Sequence, residues 1–309
     1  MIYTVTLNPA VDKTIYVDNF TLDAVNRVSS IRQDAGGKGI NVSKTIQQLG
    51  GTSTAVAFLG GASGSFITSA LDEMGIPVRA FAAEGDTRTN TKVVDLVSHT
   101  YTDINEPGAA VTKAMLDDAL AILALEINPG DIVVLSGSLP AGAPTKTYAT
   151  WTRACRKAGA RVFLDADGEA LVEGLAAKPS LIKPNEVELG RMLGRELADD
   201  DSIIAAAQEL VDGGIEQVMV SMGSAGAIFM TDKGAYRLHQ PAVEVISTVG
   251  AGDSVVAALA YAADQNLPLE QAARLSMAVG AATVMQPGTE PAKRDDIDRL
   301  LEQVQLTRL

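Results

Sequence analysis

Short runs of Ile, Leu, Val and Ala alternate along this chain with longer amphipathic stretches, and the short runs end in glycine or a polar residue. Ile2 to Leu7, Thr54 to Leu59, Val78 to Phe81, Asp131 to Leu135, Arg161 to Leu164, Leu181-Ile182 and Gln217 to Met222 read as buried strands. Helices are expected from Val42 to Leu49, Ser65 to Met74, Thr112 to Leu125, Thr145 to Lys157, Glu186 to Met192 and Ile203 to Val211, then Leu269 to Met285 and Asp295 to Val304. Strands alternating with helices of this length build βαβ units, so the predicted class is α/β, with ligands at the carboxyl ends of its strands. Two regions break the alternation. Thr14 to Val17, Val25 to Arg32 and Thr89 to Leu96 are half-polar strand patterns, with a turn over Thr100 to Gly108, and predict a small sheet on one edge. That sheet reads either as a lid or as a surface hairpin.

The polar residues at the strand ends carry the chemistry. Val243 to Val249 is an apolar run expected to be a strand; it ends in Gly250-Ala251-Gly252, and Asp253-Ser254 opens a helix of small residues. Backbone amides at such a turn stabilise an anion. Asp253 then has two readings, a helix N-cap or a general base beside that anion site. Ala35-Gly36-Gly37-Lys38-Gly39-Ile40-Asn41 is no Walker A loop, since Gly39 follows the lysine; it reads as a phosphate or sugar site, or as a flexible loop with a solvated lysine. Asp12, expected in a turn, reads as a sugar ligand or a capping residue. Lys183, Asn185 and Glu188 follow a strand end, and Glu188 lies one helical turn from Asn185, a spacing that suits hydrated magnesium or an ordinary exposed glutamate.

Charge narrows the partners. Of 309 residues 25 are Lys or Arg and 38 Asp or Glu, a net charge of −13, which disfavours nucleic acid and anionic membrane. The single cysteine, Cys155, permits no internal disulfide and is expected to be buried and inert, while His99 and His239 lack metal-ligand spacing. No basic leader or membrane-length apolar run is present, so a cytoplasmic protein is expected.

Seven motifs in order, N-P-A-V-D, G-G-K-G-I-N-V, T-R-T-N-T-K, S-G-S-L-P, K-P-N-E-V-E-L, V-S-M-G-S-A-G-A and V-G-A-G-D-S, make the chain resemble the ribokinase-like sugar kinases of the phosphofructokinase-B branch over essentially its whole length. Within that branch, the lysine of G-G-K-G, D-I-N-E-P-G and the opening M-I-Y-T-V-T-L-N-P are most similar to 1-phosphofructokinases, and tagatose-6-phosphate kinases share nearly all of them. The resemblance implies a single Rossmann-type α/β/α sandwich spanning 1–309, a discontinuous β lid from about 12–34 and 88–107, and a homodimer through that lid. It further implies ATP- and Mg²⁺-dependent phosphorylation of fructose 1-phosphate at the 6-hydroxyl, with tagatose 6-phosphate or fructose 6-phosphate as other acceptors. A non-catalytic nucleotide or sugar-phosphate sensor is the remote alternative. Carried over by motif, Asp253 is the base and Gly250, Ala251 and Gly252 the anion hole. Asp12, Gly37, Asn41 and Asn105 orient the sugar; Lys38, Arg88, Arg27 and Ser138 hold its phosphate. Lys183 neutralises ATP phosphates, Ser221, Gly223 and Gly226 line the nucleotide, and Glu188 with Asn185 organises the metal. Asp167 stands where many relatives of this kind carry serine, and Met222 where leucine is commoner.

Overall fold

The computed structural model describes residues 1–309. The first half of the chain runs β1 (Ile2–Thr6), β2 (Ala10–Val17), β3 (Val28–Gly36), α1 (Lys38–Gln48), β4 (Ser53–Leu59), α2 (Gly61–Glu73), β5 (Val78–Ala82), β6 (Arg88–Asp95) and β7 (Thr100–Asn105). It continues with α3 (Lys113–Glu126), β8 (Ile132–Ser136), α4 (Thr147–Lys157), β9 (Arg161–Asp165), α5 (Gly168–Leu175), β10 (Leu181–Ile182), α6 (Glu186–Leu193), α7 (Asp200–Asp212) and β11 (Gln217–Ser221). The hairpin β12 (Ala227–Thr231) and β13 (Gly234–His239), then α8 (Ala251–Asp264), α9 (Leu269–Thr283), α10 (Arg294–Leu301) and β14 (Gln305–Arg308) complete it.

Ten strands form one sheet in the order β14-β13-β12-β11-β10-β9-β8-β1-β4-β5. From β11 to β5 all neighbours are parallel, and β12, β13 and β14 are added antiparallel. Because side chains alternate along a strand, Val133, Leu135, Val162 and Leu164 pack on the side of α3, α4, α5, α6 and α7. Ile132, Val134 and Phe163 face α1, α8, α9 and α10. Both faces are thus covered, as the apolar strands require, and the result is the expected α/β/α sandwich. Cys155 is fully buried and unpaired, and no helix is long and apolar enough to cross a membrane.

The interrupting segments form a separate four-stranded sheet, β3-β2-β6-β7. Its register stacks polar side chains into rungs across one face. Asp34, Asp12, Asn90 and Asn105 make one rung; Arg32, Thr14, Lys92 and Asp103 make the next. Two residues separate the rungs, so they stand about 7 Å apart. Asp12 therefore belongs to a strand, not to the expected turn.

Four further elements differ from expectation. Residues 243–249 are irregular rather than a strand, with the amides of Ile246 and Ser247 bonded to the Val284 carbonyl. A short apolar run does not by itself specify a strand, and here β14 takes the free edge of β13. Thr100–Asn105, read as a turn, pairs with β6, while α5 and β14 lack a sequence signal strong enough to have been anticipated.

Candidate active site

The carboxyl ends of β1, β8 and β9 open beneath the small sheet into a cavity of about 480 Å³. Of its 22 lining residues only Val249 is hydrophobic, a wall suited to a hydroxylated, charged ligand. Thr6 Oγ1, Asn41 Oδ1, Asn90 Oδ1 and Thr289 Oγ1 belong to residues of this wall and are buried without a protein partner. Buried polar atoms normally find partners, so these four offer hydrogen bonds to a bound ligand or solvent.

Asp253 lies on the cavity wall, 7 % exposed. Helix α8 begins at Ala251 with Gly250 as its N-cap, in the left-handed region at φ 79°. Asp253 is thus the third helical residue, and the N-cap reading is excluded. The amides of Gly252 and Asp253 have no backbone acceptor, which leaves them and the helix dipole for an anion. Asn41 Nδ2 donates to Asp253 Oδ2 at 2.8 Å across 212 residues and fixes the carboxylate. Burial and then the charge of Asp165 push the Asp253 pKa up to about 6, against Lys38, the Asn41 bond and Lys183.

Asp165, at the end of β9, organises the cations. Its Oδ1 lies 3.5 Å from both Lys38 Nζ and Lys183 Nζ, and it is 3 % exposed. Burial alone would raise its pKa, but Lys183 and then Lys38 hold it below the usual carboxylate range. Lys38 is in turn pushed up: burial opposes its charge, and Asp165, Asp253 and Asp167 outweigh that. Lys183 reaches the glycine turn, because a Cβ added to Gly252 would stand 3.0 Å from its Nζ. Asp165 was legible only as a strand end, and its partnership with two lysines has no local signal.

The wall formed by the small sheet is built on the rungs. Asn90 Nδ2 donates to Asp12 Oδ1 at 3.1 Å, and burial raises the Asp12 pKa against that bond and the nearby Lys44. A Cβ on Gly36 would lie 2.1 Å from Asp12 Oδ2, so a side chain there would displace the Asp12 carboxylate. Arg88 donates to the Glu106 and Asn8 carbonyls at 3.1 and 3.2 Å, while Asn8 Nδ2 donates to Ser138 Oγ at 3.2 Å. Asp12, Gly37, Lys38, Asn41, Arg88, Asn105, Ser138, Gly250 and Asp253 all line the one cavity. Arg27 does not; it precedes β3, outside the wall. Asp34, Asn90, Lys92 and Asp103 do line it, although the sequence reading gave them no role there.

On the other side of Lys183, Ser221 at the end of β11 pairs with Asn185, and a tight turn over Gly223–Ala225 leads to Gly226 at φ 97°. A Cβ on Gly226 would stand 2.0 Å from the Leu238 carbonyl. Asn185 and Glu188 form a reciprocal cap: Asn185 Oδ1 accepts from the Glu188 amide at 2.8 Å, and Glu188 Oε2 accepts from the Asn185 amide at 2.9 Å. One Glu188 oxygen remains outside the cap, and no cluster of three or more His, Cys, Asp or Glu could hold a metal. These donors fit a largely hydrated Mg²⁺ carried on phosphates, not a protein-caged ion.

A buried carboxylate beside a helix start with free amides, two lysines on one counter-ion and a polar wall are the parts that phosphoryl transfer asks of a protein. The signature of the pfkB family carbohydrate kinases matches residues 5–296. The chain is 39 % identical to the 1-phosphofructokinase of Bacillus subtilis (strain 168), with 100 % of each covered, and 33 % identical to a tagatose-6-phosphate kinase of Staphylococcus epidermidis, with 99 % of each covered. The phosphofructokinase-2 of Escherichia coli, solved in complex with substrates and products, superposes with a TM-score of 0.93 at 35 % identity over 98 % of both chains. The chain belongs to the pfkB family of carbohydrate kinases. It is an enzyme of the sugar-kinase class, as the motifs implied.

Proposed function

We propose that the chain transfers the γ-phosphoryl group of ATP to the 6-hydroxyl of fructose 1-phosphate, giving fructose 1,6-bisphosphate and ADP. The observation that carries this reading is Asp253, buried, held by Asn41 and set in the first turn of α8 on the wall of a polar cavity. Asp253 takes the hydroxyl proton as the sugar oxygen forms its bond to the γ-phosphorus. The bond from that phosphorus to the bridging oxygen breaks, and its electron pair leaves on ADP. The amides of the Gly250–Gly252 turn receive the charge that develops on the group in transit. Asp12, Asn90 and Asn105 hold sugar hydroxyls, and Arg88 with Ser138 binds the acceptor phosphate. Lys38 shares its carboxylate with Lys183, which favours a position between the acceptor and ATP phosphates. Ser221, Gly223 and Gly226 line the nucleotide. Glu188, with Asn185 behind it, would hold Mg²⁺, which supplies charge neutralisation to the ATP phosphates.

The 1-phosphate is favoured over a 6-phosphate by the relatives' names and by Lys38 within Gly36-Gly37-Lys38-Gly39. Incubated with ATP, Mg²⁺ and fructose 1-phosphate, the enzyme should produce the two phosphomonoester ³¹P resonances of the bisphosphate. ATP consumed with only inorganic phosphate appearing would refute the assignment.

The small sheet is read as the lid that excludes water from ATP. Leu22 and Val25, in the loop joining β2 to β3, and Ile31, Tyr101 and Ile104 on the strands are each more than half exposed, and a second copy of the chain would cover them. Sedimentation velocity should give a dimer that Leu22→Asp with Val25→Asp dissociates; a wild-type monomer would remove that role.

A further inference from the structure

Lys44 is a buried cation outside the phosphoryl-transfer set. It lies on α1, one turn beyond Asn41, and is 4 % exposed. Its Nζ donates to the Ala35 carbonyl and has no ion-pair partner. The charges that face it are Asp34 and Arg32 on β3, Asp12 on β2 and Asp253 on α8. A buried unpaired ammonium costs several kcal/mol, so its presence here calls for a compensating use.

The place where it is held is informative. Ala35 is the penultimate residue of β3, and the chain passes from it through Gly36 and Gly37 directly into α1. That is one of the connections between the small sheet and the main domain. Its glycines give it no side chains of its own: Gly36 has no room for one against Asp12, and Gly37 sits at φ 116°. The Lys44 bond to Ala35 is therefore a side-chain tie across a joint with little stiffness of its own. The same ammonium opposes the burial that disfavours ionised Asp12.

We propose that Lys44 is a positioning residue for acceptor binding: its buried ammonium pins the joint of the small sheet at Ala35 and sets a positive charge behind the Asp12 rung. The inference rests on the reading that the Asp12 rung receives the sugar phosphate. The ammonium never touches the acceptor, so its loss should weaken acceptor binding and leave the ATP side alone.

The test is steady-state kinetics of wild type, Lys44→Met and Lys44→Arg from neutral to alkaline pH, with KM measured separately for fructose 1-phosphate and ATP. Lys44→Met should raise the acceptor KM by about tenfold or more, a modest misplacement of binding groups, with the ATP KM nearly unchanged. Burial lowers the Lys44 pKa, so in wild type the acceptor KM should climb as pH rises and the ammonium is lost. Arginine stays charged throughout, and Lys44→Arg should flatten that climb. A Lys44→Met enzyme with wild-type circular dichroism and melting temperature but an unchanged acceptor KM overturns the proposal, as does an equal rise in both KM values. Should Lys44→Met fail to fold, an alkaline climb that persists in Lys44→Arg overturns it alone. A wild-type enzyme that phosphorylates no sugar phosphate overturns the functional reading and this inference with it.

Discussion

Asp253→Asn is expected to lower kcat by about 10³- to 10⁴-fold, the upper range for removing a general base, while ATP binding stays nearly intact. Asparagine keeps the shape and the hydrogen bond to Asn41 but cannot take the proton. Wild-type kcat/KM should fall as pH drops through about 6, because only ionised Asp253 acts as a base and burial raises its pKa. The stability effect runs the other way. With a folded-state pKa above the ordinary 3.8, the group contributes stability that is full below that value and lost as pH rises through about 6. At pH 8 the charged carboxylate is therefore a burden, and Asp253→Asn should melt at the same temperature or higher while being nearly inactive. Loss of activity together with a large drop in melting temperature would make Asp253 structural. Retention of most of the turnover would end the base assignment.

Asp165→Asn should be the most costly change to the fold around the site. Lys183 is 8 % exposed, and Asp165 is its only ion-pair partner, so neutralising the carboxylate leaves a buried ammonium without a counter-ion. Breaking such a pair typically costs about 3–5 kcal/mol. A urea titration would show this as a lower midpoint at neutral pH. Because the lysines hold the Asp165 pKa down, that stability is present above the ordinary carboxylate value and is lost on acidification. The same charge is the largest electrostatic push on Asp253 after burial, so the acid limb of kcat/KM should move to lower pH in this variant. An unchanged midpoint with an unmoved acid limb would show that the two lysines do not depend on Asp165.

Much of the site could be read from the chain because the parallel sheet delivers its strand ends to one edge. Ser138 and Lys183 follow β8 and β10 and Ser221 ends β11, so the strand patterns located all three, while the roles of Ser138 and Ser221 came from the family resemblance. Asp253 could be placed beside the glycine turn, but spacing alone left it as cap or base, since capping and catalysis use the same residue at nearly the same spot. Contacts remove the cap reading: Gly250 takes the cap, and Asn41, distant in sequence, holds the carboxylate. Asp165 and Lys44 escaped for a related reason, because their partners lie on other elements. Lys38 is 127 residues from Asp165, and an isolated aspartate at a strand end looks the same with or without it. The run 243–249 misled in the opposite direction, having a strand's composition without a strand's partner. The rungs of the small sheet were hidden until the register of β2 with β3 and β6 put Asp34, Asp12, Asn90 and Asn105 in one line.

The central claim is that this site phosphorylates a ketohexose phosphate, with fructose 1-phosphate as the preferred acceptor. It is tested most directly by comparing kcat/KM for fructose 1-phosphate, tagatose 6-phosphate, fructose 6-phosphate and free fructose at fixed ATP, Mg²⁺ and pH. The account predicts the highest value for fructose 1-phosphate and the lowest for free fructose, which has no phosphate to engage Arg88 and Lys38. Equal or better use of free fructose would contradict it, and preference for a 6-phosphate would keep the base and the lysine clamp while reversing the acceptor.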